Sequence, residues 1–183
     1  MSHDLTAIDP RAPDSAGWHV VVETPRESGA KYDYEPDFRA FRLAYVLPEG
    51  SVFPYPFGFI PSTLGDDGDP LDVLLLSEES TFCGCVIASR VVGVIEGIQR
   101  KKDGAKERND RFLAVPVASR RFAGLRSIKD LPAKQREDLS RFFEDYNEIL
   151  HREFDVIRWA GPSTATKLVE KGLRKYRRAA KHR

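Results

Sequence analysis

Strand-like patterning fills the first two thirds of the chain, and helical patterning follows it. Trp18-His19-Val20-Val21-Val22-Glu23 is β-branched and aromatic and is stopped by Pro25, which predicts a first strand. Lys31-Tyr32-Asp33-Tyr34 and Phe38-Arg39-Ala40-Phe41-Arg42-Leu43 alternate charged and apolar side chains, the pattern of half-buried antiparallel strands joined by turns. Residues 53–70 hold four prolines and three glycines among aromatics, a composition that forbids regular helix and predicts an ordered, functional loop. Residues 71–76 are short and apolar enough for a buried strand, so the acidic residues just before them sit at a strand's mouth. Residues 82–98 read as β structure that can bend at Gly84, Gly93 and Gly97, residues 99–110 as a charged turn, and residues 111–117 as another strand. Six or so strands of this length, bent this often, predict a small closed antiparallel barrel rather than an open sheet.

Helical spacing begins at Leu131-Pro132, with Pro at the first helical position and Asp130 near the positive end of the helix dipole. Leu139, Phe142, Phe143, Tyr146, Ile149 and Leu150 then form an apolar stripe that must pack on the barrel. Gly161-Pro162-Ser163 breaks the chain and starts a last helix with Leu168, Val169, Leu173 and Tyr176 on one side. Strands first and helices last make an α+β fold. The expected organisation is a loose segment over residues 1–17, one domain over 18–176 and a basic tail over 177–183, since 183 residues suit a single core.

Composition changes this picture little. With 41% hydrophobic and 31% charged residues the chain is ordinary for a globular protein, and it has no apolar run long enough to cross a bilayer. The first residues lack the basic-then-apolar order of a secretory signal, so a cytoplasmic location is expected. Cys83 and Cys85 stand two apart, on one face if the stretch is a strand, too close for an ordinary disulfide and without a nearby His for zinc. Charge is more informative: residues 171–183 carry seven Lys or Arg and no acid, so a net charge of +1 hides an acidic body. A helix end whose cations suit its dipole accounts for the basic residues better than a nucleic-acid surface does.

The chemistry concentrates in Asp67-Gly68-Asp69-Pro70-Leu71-Asp72. Hard divalent cations take oxygen ligands, and carboxylates two and five positions apart on a tight Gly-Pro turn can face one point. Two unit charges about 4 Å apart repel by about 4 kcal/mol at an effective dielectric near 20, so three crowded carboxylates call for cations or protons among them. An EF-hand loop is excluded, because Asp72 stands where that motif needs Gly and the following run is strand-like.

Preceded by Gly58-Phe59-Ile60-Pro61-Ser62-Thr63-Leu64, the aspartate segment resembles the signature of family I soluble inorganic pyrophosphatases. The similarity runs over residues 18–176 through Val21-Val22-Glu23-Thr24-Pro25, Lys31-Tyr32-Asp33, Arg42, Gly93-Val94, Leu113-Ala114-Val115-Pro116 and Phe142-Phe143-Glu144-Asp145-Tyr146. The resemblance implies a five-stranded OB-like barrel with outer helices, Mg²⁺-dependent hydrolysis of pyrophosphate to two phosphates, and a homo-hexamer. It implies Asp67 and Asp72 as metal ligands and Asp69 as the group that takes the attacking water's proton. Lys31, Arg42, Tyr146 and Arg111 would hold the substrate's phosphates, and Glu23 and Asp33 would be acids lining the cavity.

The chain also departs from the family pattern. Phe53 and Phe57 stand where members usually carry Tyr, and Asn147 where a Lys usually follows the helix Tyr. Before the Ala114-Val115-Pro116 strand the usual Lys becomes Arg111, and an acid position falls on Asn109. Asp103 and Asp110 are available as replacement ligands, with Glu96 a weaker candidate, or else are charges in a solvated turn.

Overall fold

A computed structural model describes residues 4–13, 17–100 and 104–181. Among these residues nine strands form: β1 (Trp18–Thr24), β2 (Ala30–Glu35), β3 (Ala40–Val46), β4 (Phe57–Ile60), β5 (Leu71–Leu75), β6 (Val86–Arg100), β7 (Lys106–Arg108), β8 (Arg111–Pro116) and β9 (Glu153–Ala160). The two α-helices are α1 (Ala133–Ile149) and α2 (Pro162–Ala180).

Five strands close a ring in the order β1-β4-β5-β8-β6, sealed by pairing of β6 with β1. The ring is not wholly antiparallel as expected, since β5 and β8 run parallel. Topology explains the correction: strands around a ring of five cannot alternate direction at every step, so one neighbouring pair must be parallel. The 15-residue β6 extends beyond the ring to pair with β7 and β9. Gly93 and Gly97 adjoin its two register shifts, as their spacing predicts. Gly58 of β4 is required by close approach, because a Cβ there would lie 1.9 Å from the Val21 carbonyl oxygen. β2 and β3 form a separate hairpin sheet.

Three strands are missing from the sequence expectation. β4 lies within the Pro/Gly-rich loop, β7 within the charged turn, and β9 between the helices, so strands do not all precede helices. Each is disguised: β4 by flanking prolines, β7 by having three charged residues, and β9 by following a helix in a segment where Glu, Asp and Arg interrupt the apolar residues. Pro132 occupies the N-cap of α1 instead of its first turn, and Gly161 is the N-cap of α2, with Pro162 opening the helix. Cys83 and Cys85 are free thiols in the turn before β6, not on a strand.

Successive residues of the β5 segment face two cores. Leu74 and Leu76 join Phe53, Phe57, Leu113, Leu139, Phe143 and Phe154 beneath α1, and Val73 and Leu75 join Val20, Ile60, Phe112, Ala165, Val169 and Leu173 beneath α2. Burial on both faces explains why this stretch is apolar throughout. Of the segment expected to be loose, Leu5 and Ile8 pack on Val21, Tyr34 and Phe59, and Arg11 stacks 4.0 Å over Trp18. α2 continues through Ala180, into the residues expected to form a basic tail. Among the described residues no helix is long and apolar enough to cross a membrane.

Candidate active site

The acidic loop between β4 and β5 is shaped by its own backbone. Gly65 N donates to Asp69 O at 2.7 Å, and Asp69 N donates to Asp67 Oδ1 at 3.1 Å. Gly68, at φ +94°, takes the left-handed conformation that lets the two aspartates flank one tight turn. Thr63 closes the base by accepting from Leu71 N at 3.0 Å.

Asp67, Asp69 and Asp72 border one cleft of about 570 Å³. Its other walls come from the hairpin, which supplies Lys31, Asp33, Arg42 and Tyr45, and from β1 with Glu23. β6, β8 and α1 add Gln99, Arg111 and Tyr146. Residues far apart in sequence thus converge on one opening, among them the candidates Glu23, Lys31, Asp33, Arg42, Asp67, Asp69, Asp72, Arg111 and Tyr146.

Electrostatics differ across the cleft. Burial lifts the Asp67 carboxyl to about 6, with neighbouring Asp72 and Asp69 adding to the effect against the Asp69 N–H and Arg111. The Asp72 carboxylate accepts from Nη1 of Arg111, which also donates to Asn109 Oδ1. Arg111 is buried, and its guanidinium lies 5.6 to 6.0 Å from the rings of Phe154, Phe143 and Phe57. Opposite, Lys31 Nζ contacts Glu23 Oε2 at 3.1 Å and Asp33 Oδ1 at 2.5 Å. Burial opposes the Lys31 charge, but Glu23 and Asp33 outweigh it and hold the ammonium above the ordinary lysine range. Burial lifts Glu23 to about 7 despite Lys31 and a hydrogen bond from Tyr34 N. Arg42 is exposed and pairs with Glu35 at 2.5 Å. The Tyr146 and Tyr45 hydroxyls bond to each other, and burial keeps both strongly protonated.

Some candidates fall elsewhere. Asp110 is absent from the main cleft but borders a narrow pocket of about 40 Å³ together with Asp67 and Asp72, and both its oxygens accept from Arg108 Nε, at 3.0 and 2.9 Å. Glu96 is buried and accepts from Arg108 Nη2 at 2.7 Å and Arg158 Nε at 2.8 Å. Arginines thus satisfy both carboxylates. Asp103 lies outside the described residues.

The departures from the family pattern are packed in. Phe53 is buried edge-on to Phe142 and Tyr146, and Asn147 is buried with its amide donating to Phe143 O at 2.7 Å. Tyr45 and Gln99 line the cleft without being singled out by the sequence. Tyr45 is opposite Lys31 in the hairpin register, a signal that pairing the two strands would expose. Gln99 carries none, being one polar residue on a long strand; its Oε1 accepts from Asn109 Nδ2 at 2.9 Å.

An all-oxygen donor set of Asp67, Asp69 and Asp72 suits a hard divalent cation by its chemistry. Among the described residues no three acids are already gathered as a cage, because Asp72 is turned to Arg111 and Asp67 to the Asp69 N–H.

Known proteins resemble this chain over most of its length. A family model described as inorganic pyrophosphatase matches residues 20–177. The inorganic pyrophosphatase of Synechocystis sp. is 34% identical over 174 residues, spanning 95% of this chain and 99% of the relative, and that of Thermus thermophilus is 40% identical over 131 residues, or 72% of each chain. The crystal structure of the Thermus thermophilus enzyme superposes with a TM-score of 0.85 at 31% identity, over 96% of this chain and 99% of the other. An inorganic pyrophosphatase from Neisseria gonorrhoeae gives 0.83 at 29% identity, over 95% and 99%. With the aspartate loop, the five-strand ring and these similarities in hand, the chain belongs to the inorganic pyrophosphatase family.

Proposed function

We propose that the cleft hydrolyses pyrophosphate to two phosphates with Mg²⁺ as its cation and Asp69 as the group that takes the water's proton. The observation that carries this reading is the meeting in one cleft of three aspartates on one wall with Lys31, Arg42 and Arg111 on the others. Pyrophosphate bears several negative charges, so the cations must hold it before any anion can approach it. Arg111, fixed among aromatic rings, and Lys31, fixed between two acids, present charge without having to be ordered at the moment of reaction. Arg42, exposed and tethered to Glu35, reaches the rim. The Tyr146 hydroxyl, kept protonated, can donate to a phosphoryl oxygen.

Asp67 and Asp72 would hold the cation, whose charge would polarise the phosphoanhydride and make water acidic enough for the Asp69 carboxylate to take its proton. Glu23 and Asp33 keep Lys31 in place and set its charge. Asp110, held by Arg108, is left out of the cation site, and Asp103 stays a candidate ligand outside the described residues.

A homo-hexamer in the cytoplasm completes the proposal. Phe38, Phe82, Val46 and Ile157, 55 to 74% exposed, offer apolar surface for such an assembly to cover. Light scattering of the purified protein checks the number of subunits. For the reaction, phosphate release from pyrophosphate is measured with Mg²⁺ and with EDTA. Release only with the cation is expected; equal release in EDTA would refute it.

A further inference from the structure

The internal hydrogen bonds of residues 64–70 shape the aspartate loop but do not fix it to the body of the protein. Helix α2 does that. Leu64 N donates to Gly172 O at 3.1 Å, and one turn on, Lys175 Nζ donates to Gly65 O at 3.3 Å and to the Asp66 carboxylate. Lys171, on the same helix face as Lys175, lies 3.6 Å from Asp66. Gly172 permits this docking: a Cβ there would sit 2.8 Å from Leu71 Cδ1 and 3.4 Å from Thr63 Cβ, at the two ends of the loop.

Resting on the pyrophosphatase reading of the cleft, we propose that Lys175 is a positioning residue for cation binding, acting through Asp66 and the Gly65 carbonyl to hold Asp67 and Asp69 in place. Two effects combine in it. The hydrogen bond to a backbone carbonyl fixes the chain immediately before Asp67. The ion pair draws Asp66, a fourth carboxylate beside three others, to the helix side and neutralises it, so its charge adds little to the crowding at the cleft. Sequence puts Asp66 next to Asp67, yet this pairing separates its role from those of its neighbours. It also gives two of the seven basic residues in 171–183 a use inside the enzyme.

The test is calorimetric titration of Mg²⁺ into metal-free protein, beside steady-state rates, for wild type, Lys175→Met, Lys175→Arg and Asp66→Asn. Lys175→Met is expected to bind Mg²⁺ about three- to ten-fold more weakly, with kcat at saturating Mg²⁺ within about two-fold of wild type. Lys175→Arg should recover most of the affinity, and Asp66→Asn should weaken it in the same direction without touching the helix. Unchanged Mg²⁺ affinity in both Lys175→Met and Asp66→Asn overturns the proposal, as does a loss confined to kcat. A Lys175→Met protein that fails to fold leaves Asp66→Asn to decide the question alone. Wild-type protein that binds Mg²⁺ but releases no phosphate would refute the reading of the cleft and not the clamp, because the titration measures the clamp without substrate.

Discussion

Two groups of acidic residues lie close together on this barrel and have opposite fates. At the mouth of β5, Asp67, Asp69 and Asp72 border an open cleft, and burial, with the neighbouring charges adding to it, lifts the Asp67 carboxyl to about 6. Nearby, Glu96 on β6 and Asp110 in the link between β7 and β8 are locked by Arg108 and Arg158 into a network joining β6, β7 and β9. Both groups contain carboxylates paired to arginine, Asp72 to Arg111 in the first and Glu96 and Asp110 to Arg108 in the second; what separates them is that the first borders the open cleft and the second does not. A carboxylate gripped by guanidinium away from the cleft holds strands together, and one that borders the cleft is open to a cation.

Replacements on the two sides should therefore give opposite results. Asp69→Asn is expected to lower kcat by at least about 10²-fold, a typical share for one proton-accepting group, measured as phosphate release at saturating Mg²⁺. Retention of full rate would remove the distinction between the groups. The next largest effect is on pH. Proton and cation compete for Asp67, whose folded-state pKa is raised to about 6, so Mg²⁺ affinity is complete above that pH and falls as pH drops through it. The fall is expected to approach about ten-fold per pH unit in calorimetric titrations below pH 6, and a flat profile would contradict the account. On the other side, Glu96→Gln should cost about 1–3 kcal/mol of folding stability by chemical denaturation, because two arginines lose their buried anion. Its rate should stay near that of wild type. Smallest of all, Asp110→Asn is expected to change the rate by less than about three-fold; a collapse in Mg²⁺ affinity would return Asp110 to the cation site.

The sequence makes one of these groups legible and conceals the other. Asp67-Gly68-Asp69-Pro70-Leu71-Asp72 is local, with a left-handed Gly and a buried strand fixing the geometry within six residues, so spacing alone reveals it. Long apolar runs likewise reveal β1, β5 and β8, and the stripe on α1 is visible at three- and four-residue spacing. The arginine network depends on long-range pairing: Arg158 lies on β9 and meets Glu96 only because β9 adds to the far end of β6. Asp110 reads as a plausible ligand until Arg108, two residues before it, is seen to fold back onto it. The odd number of ring strands, which forces the β5–β8 parallel pair, comes from the family resemblance and not from the patterning, which misses β4 inside a proline-rich loop.

β6 pairs with β1, β7, β8 and β9, so a single 15-residue segment is common property of the barrel wall and its extension. Proteolytic cleavage or circular permutation within it would release four partners together and open the barrel. A break in the irregular stretch between β8 and α1 would divide the chain while leaving every rung of the sheet in place. The protein's tolerance to cutting is thus set by ladder connectivity rather than by distance from the cleft.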